Sequence, residues 1–588
     1  MASSPRTPAL PAAKHPISGH PQGIGGPELV IGLIGLIGVD LDSVARDLER
    51  ELSKVGYRTL PPINLIDQVL LYPLWSKTPK TPYDARIDAK MDAGNKFRGI
   101  LKRNDAVALL ALAVVQTWRR KESPDPKQKD PPPIYRGAYI LNSLKTSEEV
   151  ELLREVYGSN CFILSVYSQK QTRIDNLVNK IANSKHTGDK DSCLAAAAKL
   201  IARDQSDRGM KYGQNVRKAF PLADYFIDAS QPDQSTKDVC RFVELLFGSP
   251  YRTPTPWEFG MFQAHGASLR SADAGRQVGA SILNEDGEIL AAGTNEVPKA
   301  FGGQYWEGDK PDLRDHRQQA DANRTIITDI FADLLARLKK RGWLEAHYQG
   351  KALACLVEEA QQHVLSRFDD LTEEDPPTLT ERAPLGDLIE FMRVVHAEMA
   401  AILSCARRGV SLKKATLFST TFPCHECAKH IVAAGIHQVV FIDPYPKSRV
   451  GELFQKIILV DEGEKQDHVC FRAFVGVAPR LYNKVFSMPK RKDDGGRWLD
   501  WEAIRQQQQP RRGNEMVAYG DREDKNVQEL NRLIRAAESK GVLMESQDDA
   551  QGLEGEYGIR HRSGARVARR KEKPRGESRT GRARKVKK

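Results

Sequence analysis

The stretch that decides the reading is His396-Ala-Glu398, followed after one further helix-length segment by Pro423-Cys424-His425-Glu426-Cys427. It supplies one imidazole, one carboxylate two residues on, and a Cys-x-x-Cys that spans a single helical turn. Two thiolates and one imidazole make a three-ligand zinc site whose fourth position stays open to water, the arrangement of a catalytic metal rather than a structural one. A closed structural site would need a fourth Cys or His. His425, between the two cysteines, would point away from the metal on a helix. Glu398 is too close in sequence to His396 to complete the ligand set, and is better placed to handle protons beside the metal. H-x-E followed by P-C-x-x-C is the pattern of hydrolytic base deaminases, in which the carboxylate serves as general acid and base.

Outward from this stretch, the chain alternates strands and helices. Upstream, RQVGASILNEDGEILAAGTNEVP reads as a hairpin with strands at 278–283 and 288–292, ending in Gly293-Thr294-Asn295. Residues 299–393 read as a helical, charged insertion with an aromatic pair (Tyr305, Trp306) and an acidic loop at 369–375. Downstream come a strand at 415–419, the Cys424 helix, a strand at 438–442 and Asp443-Pro-Tyr445-Pro-Lys447-Ser.

The N-terminal half alternates in the same way. ELVIGLIGLIG (28–38) is an apolar strand running into glycines, and Val44, Leu48, Leu52 and Val55 have the spacing of a helix packed on a sheet. Strand, glycine turn and helix form the unit that can cradle phosphate at a helix N-terminus. A working phosphate loop reads G-x-x-x-x-G-K-[ST]. On that frame Gly32, Gly35 and Gly38 leave Leu41 at the lysine position and Asp42 at the hydroxyl position. The loop is degenerate: a nucleotide with Mg2+ is the ligand this frame would admit, and a structural βα turn is the alternative. Further helices are expected at 83–120, 148–157, from 170, at 191–202 and 238–247, with strands at 134–141, 161–167 and 223–230. The alternation implies a doubly wound parallel sheet. Prolines 250, 254 and 256 mark a boundary.

The expected organisation is a disordered leader (1–27), a nucleotide-kinase-like α/β domain with a degenerate phosphate loop (28–250), a zinc deaminase domain (251–490) and a flexible extension (491–588) with a helix near 526–539. No apolar run reaches the roughly 18 residues of a membrane span. Eight cysteines in 588 residues, six of them scattered, fit a reducing cytoplasmic compartment rather than a disulfide framework. The formal net charge is +12, and residues 560–588 alone carry 14 Lys/Arg against 2 Asp/Glu, so the rest of the chain balances. Such basicity is a tail, solvated in most proteins and a nucleic-acid contact in some.

RQVGASI, GTN, HAEMAAI, FPCHECAKHIVAAGI and VVFIDPYPKS together resemble the deoxycytidylate deaminase branch of the cytidine deaminase-like proteins, over about residues 254–488. The whole layout, with GQNVRKAF and ADYFID ahead of the RQVGA block, resembles the bacterial anti-phage dCTP deaminases. The resemblance implies a three-layer α/β/α deaminase domain behind a kinase-like one. It also implies Zn2+ on His396, Cys424 and Cys427, Glu398 as the proton carrier, and a free deoxycytidine nucleotide (dCTP or dCMP) as substrate. Asn295 resembles the family asparagine that bonds the sugar, with Thr294 beside it; a turn cap is its alternative role. Tyr445 and Lys447 are candidate contacts to base or phosphate. Depletion of dCTP against phage follows from the same likeness, by a monomer or a homo-oligomer. The competing classes are a nucleic-acid-editing deaminase using the basic tail, and a non-catalytic nucleotide sensor.

Overall fold

A computed structural model describes residues 26–543 except 124–131, 206, 208–209, 320, 364–384, 386–387, 444–447, 462–466 and 512–518. The basic tail, the acidic stretch 369–375, Tyr445 and Lys447 lie outside the described residues. The expected α/β class holds: the chain builds two parallel-rich sheets. The first contains β1 (Leu29–Gly35), β2 (Arg58–Thr59), β3 (Ile63–Asn64), β4 (Gly137–Asn142), β5 (Cys161–Tyr167) and β6 (Tyr225–Asp228). The second contains β7 (Gly279–Leu283), β8 (Ile289–Thr294), β9 (Thr416–Ser419), β10 (Gln438–Phe441), β11 (Ile458–Val460) and β12 (Val469–Ala473).

In the first sheet β1 lies between β4 and β5, parallel to both. Every residue of β1, β4 and β5 is buried, the continuous apolar reading of a strand covered on both faces. The second sheet runs β11-β12-β10-β9-β7-β8, with the β7–β8 hairpin antiparallel to a parallel remainder. The helix Pro256–Ser268 covers one face, where Met261 and Ala264 meet Phe418 and Val440. The helices Ala397–Arg407 and His425–Ala433 cover the other, where Ala401 and Ile431 meet Ile282, Leu417 and Val439.

The expected boundary at residue 250 does not separate two self-contained units. The strand β13 (Gly476–Val477), from the second half, pairs antiparallel with β6 at the edge of the first sheet. A single apolar cluster joins Tyr139 and Phe226 of the first half to Met261, Phe418 and Phe474 of the second, and the described residues form one compact unit.

Two further local expectations differ from the structure. The stretch 83–120 is two helices, Tyr83–Leu101 and Ala106–Glu122, separated where Lys102 takes a left-handed turn (φ 55°). The polar segment Lys102-Arg103-Asn104-Asp105 supplies no apolar face to carry one helix across, and Arg103 spends its charge on Asp105. The second difference lies beyond residue 490. The helix Tyr519–Ser539, longer than the expected 526–539, packs on the first half, with Leu530 and Ile534 in its core.

That helix is held by a buried ion cluster. Arg119 gives two hydrogen bonds to Glu28 (3.1 and 2.8 Å) and reaches Glu523 at 3.2 Å. Glu28 also accepts from Tyr139 and Tyr519, each at 3.0 Å. Glu28 thus has its charge neutralised and its lone pairs occupied, while Glu523, fully buried, must share the same guanidinium. Burial pushes Glu523 up to about 7. A carboxyl whose folded pKa exceeds its ordinary value binds a proton on folding, so its contribution is greatest at low pH and is lost as pH rises through the folded value. Thermal unfolding followed from pH 5 to pH 8 should therefore show stability falling, and Glu523→Gln should flatten that slope. A slope unchanged in the variant would remove Glu523 as its source.

Candidate metal and catalytic site

The site is built where two helices begin over the carboxyl ends of β9 and β10. His396 is the N-cap of Ala397–Arg407, in extended conformation (φ −64°, ψ 152°), and its carbonyl accepts from the N–H of Ala400 at 2.8 Å. Backbone hydrogen bonds in both directions between Glu296 and Val395 fix the chain just before it. The helix lies so close to β8 that a Cβ on Gly293 would fall on the Ala397 carbonyl, which explains why the residue two before Asn295 lacks a side chain. Cys424 is the N-cap of His425–Ala433, its sulfur accepting from the N–H of Cys427 at 3.4 Å. Both helix N-termini thus bring partial positive charge to the thiols, which favours thiolate.

The ligand atoms of His396, Cys424 and Cys427 all lie within 4.8 Å of one another. His396 Nδ1 stands 3.3 Å from each sulfur. Zinc bound by thiolate at about 2.3 Å and imidazole at about 2.05 Å holds sulfur and nitrogen about 3.6 Å apart at a tetrahedral angle, so these three atoms need only small shifts to take the ion. The donor chemistry points the same way. The bond with Cys427 draws Cys424 down to about 4, with His396 helping. The same bond, and burial, push Cys427 far above the ordinary thiol range. The protein alone stabilises one thiolate here; a dication satisfies two.

Glu398 sits in the first turn of its helix, 3% exposed. Its Oε2 is 3.5 Å from Cys427 Sγ, and its Oε1 accepts from the Ser419 hydroxyl at 3.1 Å. Burial pushes its pKa above the ordinary carboxylate value, so that carrying a proton costs it less than it would in water. The arrangement is a triad of candidate metal ligands with one buried carboxyl against it.

The other expected site residues fall out differently. Asn295 is buried next to the Glu296–Val395 bridge, but its amide is committed to the chain: Oδ1 accepts from the N–H of Val278 at 2.7 Å and Nδ2 donates to the Arg276 carbonyl at 2.9 Å. Thr294 has no exposed surface, and its hydroxyl bonds the Val278 carbonyl. The geometry makes both of them shapers of the 276–278 strand entry, the turn-cap role for Asn295.

The glycines of the degenerate loop are explained by packing. Gly32 and Gly35 lie within β1, where added side chains would overlap Leu144 and Leu41. Gly38 does occupy the turn (φ 92°), with the Arg173 backbone against it. The position of an incoming anion is taken by Asp204, which accepts from the Ile37 N–H at 2.8 Å and from Lys145 Nζ at 2.8 Å. Asp42 accepts from Asn142 Nδ2 at 2.9 Å. The degenerate loop, read either as a cradle for nucleotide with Mg2+ or as a structural βα turn, thus has its Ile37 N–H bonded by a carboxylate of the helix Lys190–Gln205.

Two residues near the site went unread in the sequence. Ser419 touches Glu398 but is separated from it by the helix end, a turn and a strand. Arg276 is exposed on the loop before β7; the bond with Cys424 raises His396 above its ordinary value, and the charge of Arg276 is a minor opposing influence on it. The only local signal for Arg276 is its place two residues before the VGA block.

Residues 257–443 match the family described as the cytidine and deoxycytidylate deaminase zinc-binding region. Deoxycytidylate deaminase of Enterobacteria phage T2 is 44% identical over 57 residues, 10% of this chain and 30% of that enzyme. The probable deoxycytidylate deaminase of Drosophila melanogaster is 51% identical over 59 residues, 10% of this chain and 27% of that protein. The Pongo abelii enzyme is 32% identical over 107 residues, 18% of this chain and 56% of its own length. The chain thus spans about a third of the phage relative that it matches. Among solved structures, dCMP deaminase of cyanophage S-TIM5 covers 38% of this chain and 99% of its own, at 17% identity and a TM-score of 0.19. The triad and Glu398 fall inside the matched residues, so this part of the chain is similar to the cytidine and deoxycytidylate deaminase zinc-binding region.

Proposed function

We propose that the protein hydrolyses the 4-amino group of a free deoxycytidine nucleotide, giving the deoxyuridine nucleotide and ammonia. The observation that carries this reading is the buried carboxyl of Glu398 set against the His396–Cys424–Cys427 triad. Zinc, when bound by His396 Nδ1 and the two sulfurs, supplies an acidified water as nucleophile near neutral pH. The rest is protein chemistry. Glu398 would take a proton from the attacking water and pass it to ring N3, then take the proton of the new C4 hydroxyl and deliver it to the departing amine, leaving the C4 carbonyl and ammonia.

Arg276 supports a nucleotide rather than a nucleoside: it is an exposed cation beside the triad, suited to a phosphate. Asn295 positions it through its carbonyl. The choice between dCMP and dCTP, and a role in depleting dCTP during phage infection, extend this reading on the strength of the family likeness. The self-filled loop at Asp204 argues against a phosphoryl-transfer role for the first half.

Purified protein incubated with dCMP, dCTP, CTP and deoxycytidine should release ammonia from a deoxynucleotide; no turnover on any would overturn the proposal. Glu398→Gln should lower kcat by roughly 10²–10⁴ while retaining zinc, whereas Cys424→Ala should lose both zinc and activity. Arg276→Ala should raise KM for the nucleotide about tenfold and leave any turnover of deoxycytidine unchanged; equal losses on both substrates would remove the phosphate assignment.

A further inference from the structure

Resting on the deaminase reading above, we propose that Ser419 is a positioning residue that divides the labour between the two oxygens of Glu398. Oε1 is the fixed acceptor, and Oε2 is the oxygen that carries the travelling proton.

The argument starts from the strand. Side chains alternate across β9, so Phe418 points to the helix Pro256–Ser268, while Leu417 and Ser419 point to the helices that bear the metal ligands. Ser419 closes the strand, held in register between Ala280 of β7 and Phe441 of β10. Just beyond it, the Thr420 hydroxyl accepts from the Gly279 N–H at 3.1 Å, which ties the strand end to its neighbour. A hydroxyl on so rigid a mount, with no exposed surface, donates to Glu398 Oε1.

A hydroxyl has a single proton to give. Once it is spent on Oε1, that oxygen is a fixed acceptor and the carboxyl cannot flip freely. Oε2 then lies on the side of Cys427, 3.5 Å from its sulfur. It is the oxygen that can take a proton from an incoming water and hand it to the base. The hydroxyl also steadies the carboxylate form of a buried group between the two transfers, without neutralising it. An apolar residue at this position would leave Oε1 buried without a donor and free the rotamer, so the proton would be carried from a mixture of positions. Transfer geometry falls under kcat, because Ser419 is screened from substrate by Glu398.

The test compares Ser419→Thr with Ser419→Val, side chains of the same shape that differ in the hydroxyl, with Ser419→Ala as the variant that adds no bulk. For each, kcat, KM, bound zinc and melting temperature are measured on the full chain. We expect Val and Ala to lower kcat about tenfold or more, with KM within twofold and zinc stoichiometry unchanged, and Thr to restore kcat to within threefold of the starting enzyme. Equal kcat in Thr and Val, or a loss that tracks zinc content or melting temperature in all three, would overturn the assignment. If the unaltered protein turns over its nucleotide and all variants match it, this inference alone falls. If the unaltered protein has no turnover, the deaminase reading falls and takes this one with it.

Discussion

Two sulfurs and an imidazole nitrogen packed within 4.8 Å are in electrostatic conflict until a cation joins them. One thiol ionises at the expense of the other, and the imidazole is drawn toward the charged form by its neighbour. Much of the second half can be understood as the support for that conflict. Two helices must start at the same place, so both ligands that open them are N-caps. The helices must lie flat on the sheet, so Gly293 gives up its side chain to let Ala397 approach. The strand ends must be level, so parallel β9 and β10 finish together at Ser419 and Phe441. The reactive carboxyl inherits its position from this scaffold.

How much of this is legible in the chain depends on where each interaction's partners lie. The triad is legible because its spacing is local: a capping histidine with a carboxylate two positions on, and a Cys-x-x-Cys on one turn. The elements around it follow from apolar periodicity and turn residues, and the observed bounds of β5 coincide with the expected 161–167. Ser419 is illegible because a serine at a strand end has many uses, and only the fold brings Glu398 to it. For Asn295 the family resemblance implies a sugar contact and its place at a strand end a turn cap; its amide bonds the backbone of the residues before β7.

The first half shows the opposite failure, a pattern that is present without its function. Three glycines at intervals of three suggested a phosphate cradle. Two are strand residues that make room for Leu144 and Leu41, and nothing near them in sequence announces Asp204, which arrives from a helix some 170 positions on. The region beyond residue 490 failed for a related reason. Composition sees Glu523 as one more charge in a polar stretch. It does not see that Arg119 lies across from it, and that a paired charge can be as buried as a leucine.

The return of β13 to the edge of the first sheet has a consequence for how the protein comes into being. Synthesis proceeds from the N-terminus, and domains generally fold as they emerge. Here the first sheet gains its last strand only after Val477 has left the ribosome, and its covering helix only after Ser539. The deaminase-like half therefore finishes its own sheet, through Ala473, before the sheet that precedes it in the chain is complete. The nascent first half waits with Phe226, Tyr139 and the Glu28–Arg119 pair incompletely covered. The reactive module is thus assembled on an unfinished neighbour, and the last residues to arrive close the part of the molecule that was made first.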